Sequence, residues 1–219
     1  MTRTRVGLIF DDGFVKSSLT TAKLFDEFRL PATFAVVAEP EKWSTPNFVK
    51  GDFDLWNELQ SRGHVIQPHG VAHVKLSELP HEQAVGELQQ CLDLFAEKLD
   101  GFDAKKSIYC FAYNCSTPRL DAWLRPRVRA YRHGGSGMLT ERDLTTGNWH
   151  SDAIGPHDPG PELLALLERV RRRRPTAFLF TLHGIDGEAW GAIALDTLRR
   201  ALEIITSDDS FSYWRLDSP

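Results

Sequence analysis

Residues 8–14 read Leu-Ile-Phe-Asp-Asp-Gly-Phe, an apolar run that stops at two adjacent carboxylates and a glycine. The run begins at Val6 and has the length of a buried strand, and Gly13 permits a tight turn directly after it. Successive side chains of an extended segment point to opposite faces, so we expect Asp11 and Asp12 to do different work. Two acids at the end of a buried strand indicate a metal or proton-transfer site. The alternative is that one acid caps the next helix while the other is solvated.

The rest of the chain alternates short apolar runs with amphipathic segments. The runs predict strands over residues 6–10, 32–38, 64–67, 107–113, 127–131, 176–182 and 211–216. Helical spacing of apolar residues predicts helices over residues 17–29, 53–62, 80–99, 118–124, 162–172 and 190–205. Residues 133–161 have little periodicity and are predicted to form a long functional loop.

This alternation predicts a parallel sheet with its functional residues at the C-terminal ends of the strands. A full eight-fold barrel typically needs about 250 residues, and this chain has 219. We therefore predict one α/β domain over residues 1–219, with a distorted, incomplete (β/α)-type barrel of about seven parallel strands.

Composition argues against several kinds of partner. Charged residues make up 26% of the chain and apolar residues 42%, as in ordinary globular proteins. The formal net charge of −4 gives no reason to expect nucleic acid or an anionic membrane as a partner. No apolar stretch has the length of a signal peptide or a membrane span, so we expect a cytoplasmic protein. The cysteines Cys91, Cys110 and Cys115 lack zinc-ribbon spacing and are expected to be free thiols.

Three histidines follow predicted strands. His69 and His73 are four residues apart, which brings two imidazoles together on a helical turn or in a compact loop. Such a pair is more often structural, but a carboxylate from the first strand would complete three ligands and leave room for water, as in catalytic metal sites. Gly70 stands where His-Glu-x-x-His zinc proteases need Glu, so that class is excluded. His183 ends a late strand and is suited to protonate a leaving group, unless it is simply a hydrogen-bonded histidine.

Together these motifs resemble those of the NodB-homology polysaccharide deacetylases. Phe10-Asp11-Asp12-Gly13 is similar to the first motif of the family, residues 63–73 to the second, and Leu182-His183 to the fifth. The resemblance extends over nearly the whole chain and implies a distorted (β/α)-type barrel. It also implies a metal-dependent deacetylase that acts on an N-acetylated amino sugar or a related small acylated molecule.

The resemblance assigns a role to each matching residue. It implies that Asp12, His69 and His73 hold a divalent metal, usually zinc, although cobalt, nickel, manganese or iron would also serve. It implies that Asp11 is the general base that takes a proton from the attacking water. His183 would be the general acid for the departing amine.

The third and fourth motifs depart from the family pattern. The third motif normally carries an Arg and a Pro-Tyr pair, whereas this chain has Tyr113-Asn114-Cys115 near the end of the fourth strand. With Asn114 at the Pro position, the backbone N–H of Cys115 is expected to face the oxyanion. Arg132 is expected to replace the missing arginine, and Trp149 with Asp152 is the nearest candidate for the fourth motif. Some tryptophans are candidates to stack on a sugar, although tryptophan is more often core: Trp43, Trp149 and Trp190.

Two other functions are weighed against the deacetylase. A non-catalytic carbohydrate- or metal-binding module on the same fold is suggested by the missing third-motif arginine. Asp11 and His183 argue against it, because binding alone needs neither. A phosphohydrolase of the haloacid-dehalogenase type needs a second Asp two positions after its nucleophile, where this chain has Gly13 or Phe14.

Overall fold

The β-strands form one mostly parallel sheet that curls into a nearly closed barrel. A computed structural model describes residues 3–45 and 47–217. Its strands are β1 (Thr4–Asp12), β2 (Thr33–Val36), β3 (Val65–Pro68), β4 (Ile108–Cys110), β5 (Ala130–Gly134), β6 (Met138–Leu139), β7 (Asn148–Ala153), β8 (Ala177–Leu182) and β9 (Phe211–Tyr213). Seven of them are parallel neighbours in the order β3-β2-β1-β8-β7-β5-β4, while β6 pairs antiparallel with β8 and β9 pairs with β1. The predicted incomplete barrel of about seven parallel strands is confirmed.

A layer of helices packs against the outside of the sheet. The α-helices are α1 (Val15–Glu27), α2 (Phe53–Ser61), α3 (His81–Lys98), α4 (Pro118–Leu124), α5 (Glu141–Thr146), α6 (Gly160–Arg173) and α7 (Leu195–Ser207). Alternation along β1 sends Val6, Leu8 and Phe10 into this layer. There Phe10 meets Phe25 of α1 edge-on, with ring centroids 5.7 Å apart. None of the helices in the described residues is both long and apolar enough to cross a bilayer.

A second, smaller apolar cluster fills the inside of the barrel. Ile9 belongs to it and shares the inward face of β1 with Asp11, two residues further on. Trp149 of β7 belongs to the same cluster and packs against Trp214, with ring centroids 4.8 Å apart. The interior of the barrel is therefore apolar toward the N-terminal ends of the strands and becomes polar toward their C-terminal ends, where Asp11 lies.

The two largest differences between predicted and observed segments lie in the second half of the chain. Residues 133–161 are not one long loop, because they contain β6, α5 and β7. Along β7 the buried residues Trp149 and Ser151 alternate with half-buried polar ones, so the strand has no apolar run to reveal it. The helix predicted over 190–205 begins only at α7, which leaves Trp190 in the preceding loop.

The barrel has a seam between its two end strands, β3 and β4. No main-chain ladder joins them within the described ranges, but two side chains cross the gap. Gln67 Oε1 accepts the N–H of Ile108 at 2.7 Å. His69 Nδ1 lies 2.9 Å from the carbonyl oxygen of Cys110. Because a carbonyl can only accept, the Nδ1 of His69 carries the proton.

Candidate active site

A pocket of about 520 Å³ opens at the C-terminal ends of the barrel strands. All five residues predicted for catalysis and metal binding line it: Asp11, Asp12, His69, His73 and His183. Aromatic rings supply much of the remaining wall: Phe14, Trp43, Phe48, Tyr113 and Trp190. The structure thus brings together residues from the turns after β1, β3 and β8 in a mostly aromatic enclosure.

The turn after β1 directs both acids into this pocket. Asp11 continues the inward alternation of β1, whereas strict alternation would send Asp12 outward with Phe10. Asp12 instead has a φ of 80°, as does Gly13 after it. A Cβ on Gly13 would lie 2.8 Å from the ring of Trp56, so the turn needs glycine here. The two acids therefore occupy different positions within one pocket, not two faces of a strand.

His69 and His73 lie on a compact loop after β3, not on a helix. The N–H of His69 donates to the carbonyl of Val36 at 3.0 Å, which ties the start of the loop to β2. The two imidazole centroids are 5.2 Å apart, and Trp43 stacks on His73 at 4.1 Å. Because the protonated Nδ1 of His69 faces Cys110, the Nε2 of the neutral ring keeps a lone pair toward the pocket.

Asp12, His69 and His73 form a set of potential metal ligands. Asp12 Oδ1 lies 3.4 Å from His69 Nε2 and 3.2 Å from His73 Nε2. One ligand atom from each residue lies within 4.8 Å of the other two. Asp12 Oδ1 is buried and has no hydrogen bond of acceptable geometry in the described part of the chain. A buried carboxylate oxygen beside two imidazole nitrogens is the donor chemistry of zinc and related cations, so these residues fit such an ion.

The electrostatics of this set favour a negative carboxylate. Burial raises the pKa of Asp12, but the imidazoles of His69 and His73 outweigh it and hold that pKa well below its ordinary value. Burial lowers the pKa of His69, yet the neighbouring carboxylates of Asp11 and Asp12 reverse the shift and raise it. Positive charge is therefore stabilised at the position that these three side chains surround.

Asp11 is paired with the guanidinium of Arg132. Arg132 lies on β5 opposite Cys110 of β4, and its side chain is fully buried. Its Nη2 donates to the two carboxylate oxygens of Asp11 at 2.8 and 2.7 Å. Its Nη1 donates to the Oδ1 of Asn114. The strand next to the third motif thus supplies an arginine to the first acid.

His183 follows β8 and lines the pocket with the two acids. Burial lowers its pKa. Its ring meets that of Trp190 edge-on, with centroids 4.9 Å apart and planes at 80°. Its Nδ1 is buried and finds no hydrogen-bond partner among the residues described. Packing, and not a side-chain acceptor, therefore orients this imidazole.

The segment after β4 contributes two of its three predicted residues. Tyr113 and Asn114 line the pocket, and the ring of Tyr113 lies 4.6 Å from that of His73. Cys115 does not line it, and its N–H donates to the carbonyl of Ala112 at 3.4 Å. In this structure that N–H is engaged within the turn, and its role as an oxyanion donor stays a prediction.

Trp149 does not belong to the pocket, contrary to its interpretation from the sequence. It is 3% exposed and lies inside the barrel against Trp214. The guanidinium of Arg129 lies 5.4 Å from its ring centroid. This side chain therefore belongs to the apolar cluster inside the barrel. The tryptophans that line the pocket are Trp43 and Trp190.

Two aromatic wall residues, Phe14 and Phe48, were not singled out from the sequence. Their ring centroids are 5.4 Å apart, and Phe14 also lies 5.8 Å from Trp43. Phe14 follows β1 and Phe48 follows β2, at the C-terminal edge of the sheet where the candidate catalytic and metal-binding residues also lie. That position was the available signal, since loops at this edge build the sites of α/β proteins.

Known proteins resemble this chain in sequence and in fold. The family model described as "Polysaccharide deacetylase" matches residues 1–120. A Mycobacterium smegmatis protein assigned as a polysaccharide deacetylase has a TM-score of 0.69 at 14% identity, covering 97% of this chain and 86% of its own. A family 4 acetyl xylan esterase from Clostridium thermocellum, solved with a cobalt ion, has a TM-score of 0.63 at 15% identity, with 96% and 87% covered.

A family 4 carbohydrate esterase from Streptomyces lividans, solved with acetate, has a TM-score of 0.60 at 15% identity, with 97% of this chain and 93% of its own covered. At these identities the similarity to solved structures is one of fold. No curated protein matches the chain.

Proposed function

The chain belongs to the polysaccharide deacetylase family, and we propose that it is a divalent-metal-dependent hydrolase that removes an acyl group from an amino sugar or a related small amide. The acyl group we propose is N-acetyl. One observation carries the proposal: the Asp12, His69 and His73 ligand set shares a pocket with a second acid, Asp11, and with His183. A binding site for an ion or a sugar alone would need neither of the last two.

We infer that Asp12, His69 and His73 would hold the cation, with zinc as the first choice. Cobalt, nickel, manganese or iron share the same preference for imidazole and carboxylate ligands. The cobalt ion in the Clostridium thermocellum neighbour supports a metal in this family. When bound, such a cation lowers the pKa of coordinated water to about 7 and polarises a carbonyl.

Asp11 is the proposed general base. Arg132 pairs with its carboxylate and fixes its orientation through the contacts at 2.8 and 2.7 Å. The carboxylate can then accept a proton from the attacking water, a transfer typically worth about 10² to 10⁴ in rate. Arg132 is a positioning residue in this scheme, because it acts only through Asp11.

His183 is the proposed general acid. The nitrogen of an amide leaves readily only when it receives a proton as the C–N bond breaks. Burial lowers the pKa of His183, so its protonated form releases that proton more easily than an exposed histidine would.

The walls of the pocket suit a carbohydrate substrate. Trp43, Tyr113 and Trp190 present aromatic surface that can pack against the apolar face of a sugar ring. Tyr113 and Asn114 lie beside His73 and Arg132, where we place the acyl end of the substrate. The acetate in the Streptomyces lividans neighbour supports an acetyl group.

Acetate release from N-acetylglucosamine and its short oligomers tests the proposal. We expect activity in the zinc-loaded wild type, its loss with a chelator, and its return with Zn²⁺. Asp11→Asn and His183→Ala should each lower the rate by about 10² or more yet still bind zinc. Asp93→Asn, an exposed carboxylate on α3, should behave as wild type.

Full activity in both pocket variants would refute the assigned roles. A wild type that binds zinc but releases no acyl group would indicate a binding module on the same fold.

A further inference from the structure

Glu188 reaches from the loop after β8 to the start of α1. Its Oε2 accepts the main-chain N–H of Ser17 at 2.6 Å and also the hydroxyl of Ser17. The same hydroxyl accepts the N–H of Ile185 at 2.9 Å. Ser17 is 2% exposed. The contact therefore joins two segments that are 171 residues apart.

Helix α1 obtains its cap from this contact. The N-cap residue Phe14 makes no side-chain cap hydrogen bond, and the first turn of α1 contains no acidic residue. The first N–H groups of a helix lack intrahelical partners and carry partial positive charge. Glu188 supplies both an acceptor and a negative charge to Ser17 in that turn. Since α1 directly follows the turn that carries Asp12, the same contact anchors the acids.

The other end of this connection carries His183 and Trp190. The loop between them is tightly folded, because a Cβ on Gly184 would lie 1.4 Å from the carbonyl oxygen of Glu188. The N–H of Glu188 donates to the carbonyl of Ile185 at 3.1 Å. Trp190 comes two residues later and packs edge-on against His183. With no acceptor at its Nδ1 among the described side chains, His183 depends on this loop for its orientation.

We propose that Glu188, acting with Ser17, is a positioning residue that sets His183 against the Asp11 and Asp12 pair. The inference rests on the proposed function, in which His183 is the general acid. Glu188 does not line the pocket in the described structure, so it acts through the loop and not on the substrate. Because the Nδ1 of His183 has no hydrogen-bond acceptor among the described residues, the loop that Glu188 holds in place orients this imidazole instead.

The first test compares two leaving groups in the zinc-loaded enzyme. N-acetylglucosamine oligomers release an amine that needs a proton, whereas p-nitrophenyl acetate releases a phenolate that does not. Glu188→Ala should lower kcat on the oligomers by about 10- to 100-fold through misplacement of the acid. It should change kcat on the ester much less, and Glu188→Gln, which keeps an acceptor oxygen, should restore most of the amide activity. The control Glu168→Gln removes a surface carboxylate that pairs with Arg171 at 2.7 Å, and should match wild type.

An equal loss on both substrates, as a general structural defect would produce, would overturn the proposal. Unchanged amide activity in Glu188→Ala would do the same. A wild type inactive on both substrates would refute the proposed function instead, and the positioning role is then decided by a measurement without turnover.

That measurement is the ¹³Cε1–¹H spectrum of the eight histidines in ring-labelled protein. His183→Gln identifies the signal of His183. Glu188→Ala should shift or broaden this signal and leave in place that of His64, which lies beside Asp26 at the C-terminal end of α1. Ser17→Ala should do likewise, and the double variant should add little, because both residues act through one contact. An unmoved His183 signal in Glu188→Ala would overturn the proposal.

Discussion

Arg132→Met removes the positive partner of Asp11 while keeping a long side chain inside the barrel. Arg132 has no exposed side-chain surface, and Asp11 is 3% exposed. The guanidinium contacts both Asp11 oxygens and the Oδ1 of Asn114. The substitution therefore leaves a carboxylate in the interior without its cation.

The expected loss of stability follows from that isolated charge. Removing one partner of a buried ion pair typically costs about 3–5 kcal/mol, because the remaining charge is uncompensated. With a urea m-value of about 2 kcal/mol/M, the unfolding midpoint should fall by about 1.5 to 2.5 M. We expect this shift in chelator-treated protein, followed by tryptophan fluorescence at pH 7.

Two further variants separate charge from packing. Arg62→Met breaks a surface pair, in which Nη2 lies 2.6 Å from Asp26 and the arginine side chain is 37% exposed. It should cost only about 0–1 kcal/mol. Adding Asp11→Asn to Arg132→Met should recover at least about 2 kcal/mol, since the isolated charge is then gone.

A loss in Arg132→Met no larger than that in Arg62→Met would refute the reasoning. A failure of Asp11→Asn to recover stability would show that the arginine contributes packing and not charge compensation.

Three more predictions concern other parts of the molecule. His69→Ala should weaken Zn²⁺ binding to stripped protein, measured by calorimetry, by more than the roughly 10- to 100-fold that loss of an outer partner causes; unchanged affinity would place the metal elsewhere. Burial lowers the pKa of His64 in the folded state, so the stability present above about pH 6.5 should decline as the pH falls through that lowered value. His64→Gln should flatten this dependence in urea titrations and exposed His157→Gln should not; equal slopes would contradict the assignment. Trp149→Ala should cost about 3–5 kcal/mol of unfolding free energy, whereas Trp190→Ala should chiefly lower acetate release. If Trp149→Ala instead chiefly lowered acetate release and Trp190→Ala chiefly lowered stability, Trp149 would have to be assigned to the pocket.

Strand prediction succeeded where both faces of a strand are buried. β1 and β8 read as nearly continuous apolar runs, because helices cover one side and the barrel core covers the other. β7 was missed because only its inward residues, Trp149 and Ser151, are buried. A pattern of that kind has no hydrophobic run to detect.

Residue types revealed the candidate site, while its geometry depended on features invisible in the chain. Strand alternation could not place Asp12, because its φ of 80° breaks the alternation. Arg132 was a candidate by residue type, but its approach to Asp11 follows from the pairing of β5 with β4 across from Cys110. The sequence also does not reveal that the N–H of Cys115 donates within a short turn to the carbonyl of Ala112.

The seam between β3 and β4 connects the candidate metal site to the rigidity of the barrel wall. His69 spans the gap through Nδ1 while its Nε2 faces Asp12, so one ring serves two purposes. A metal ion that immobilises the imidazole of His69 should also hold β3 and β4 together. Removal of the ion by a chelator should increase the motion of these two strands at the seam. Metal occupancy and the rigidity of the barrel at this seam would then increase and decrease together.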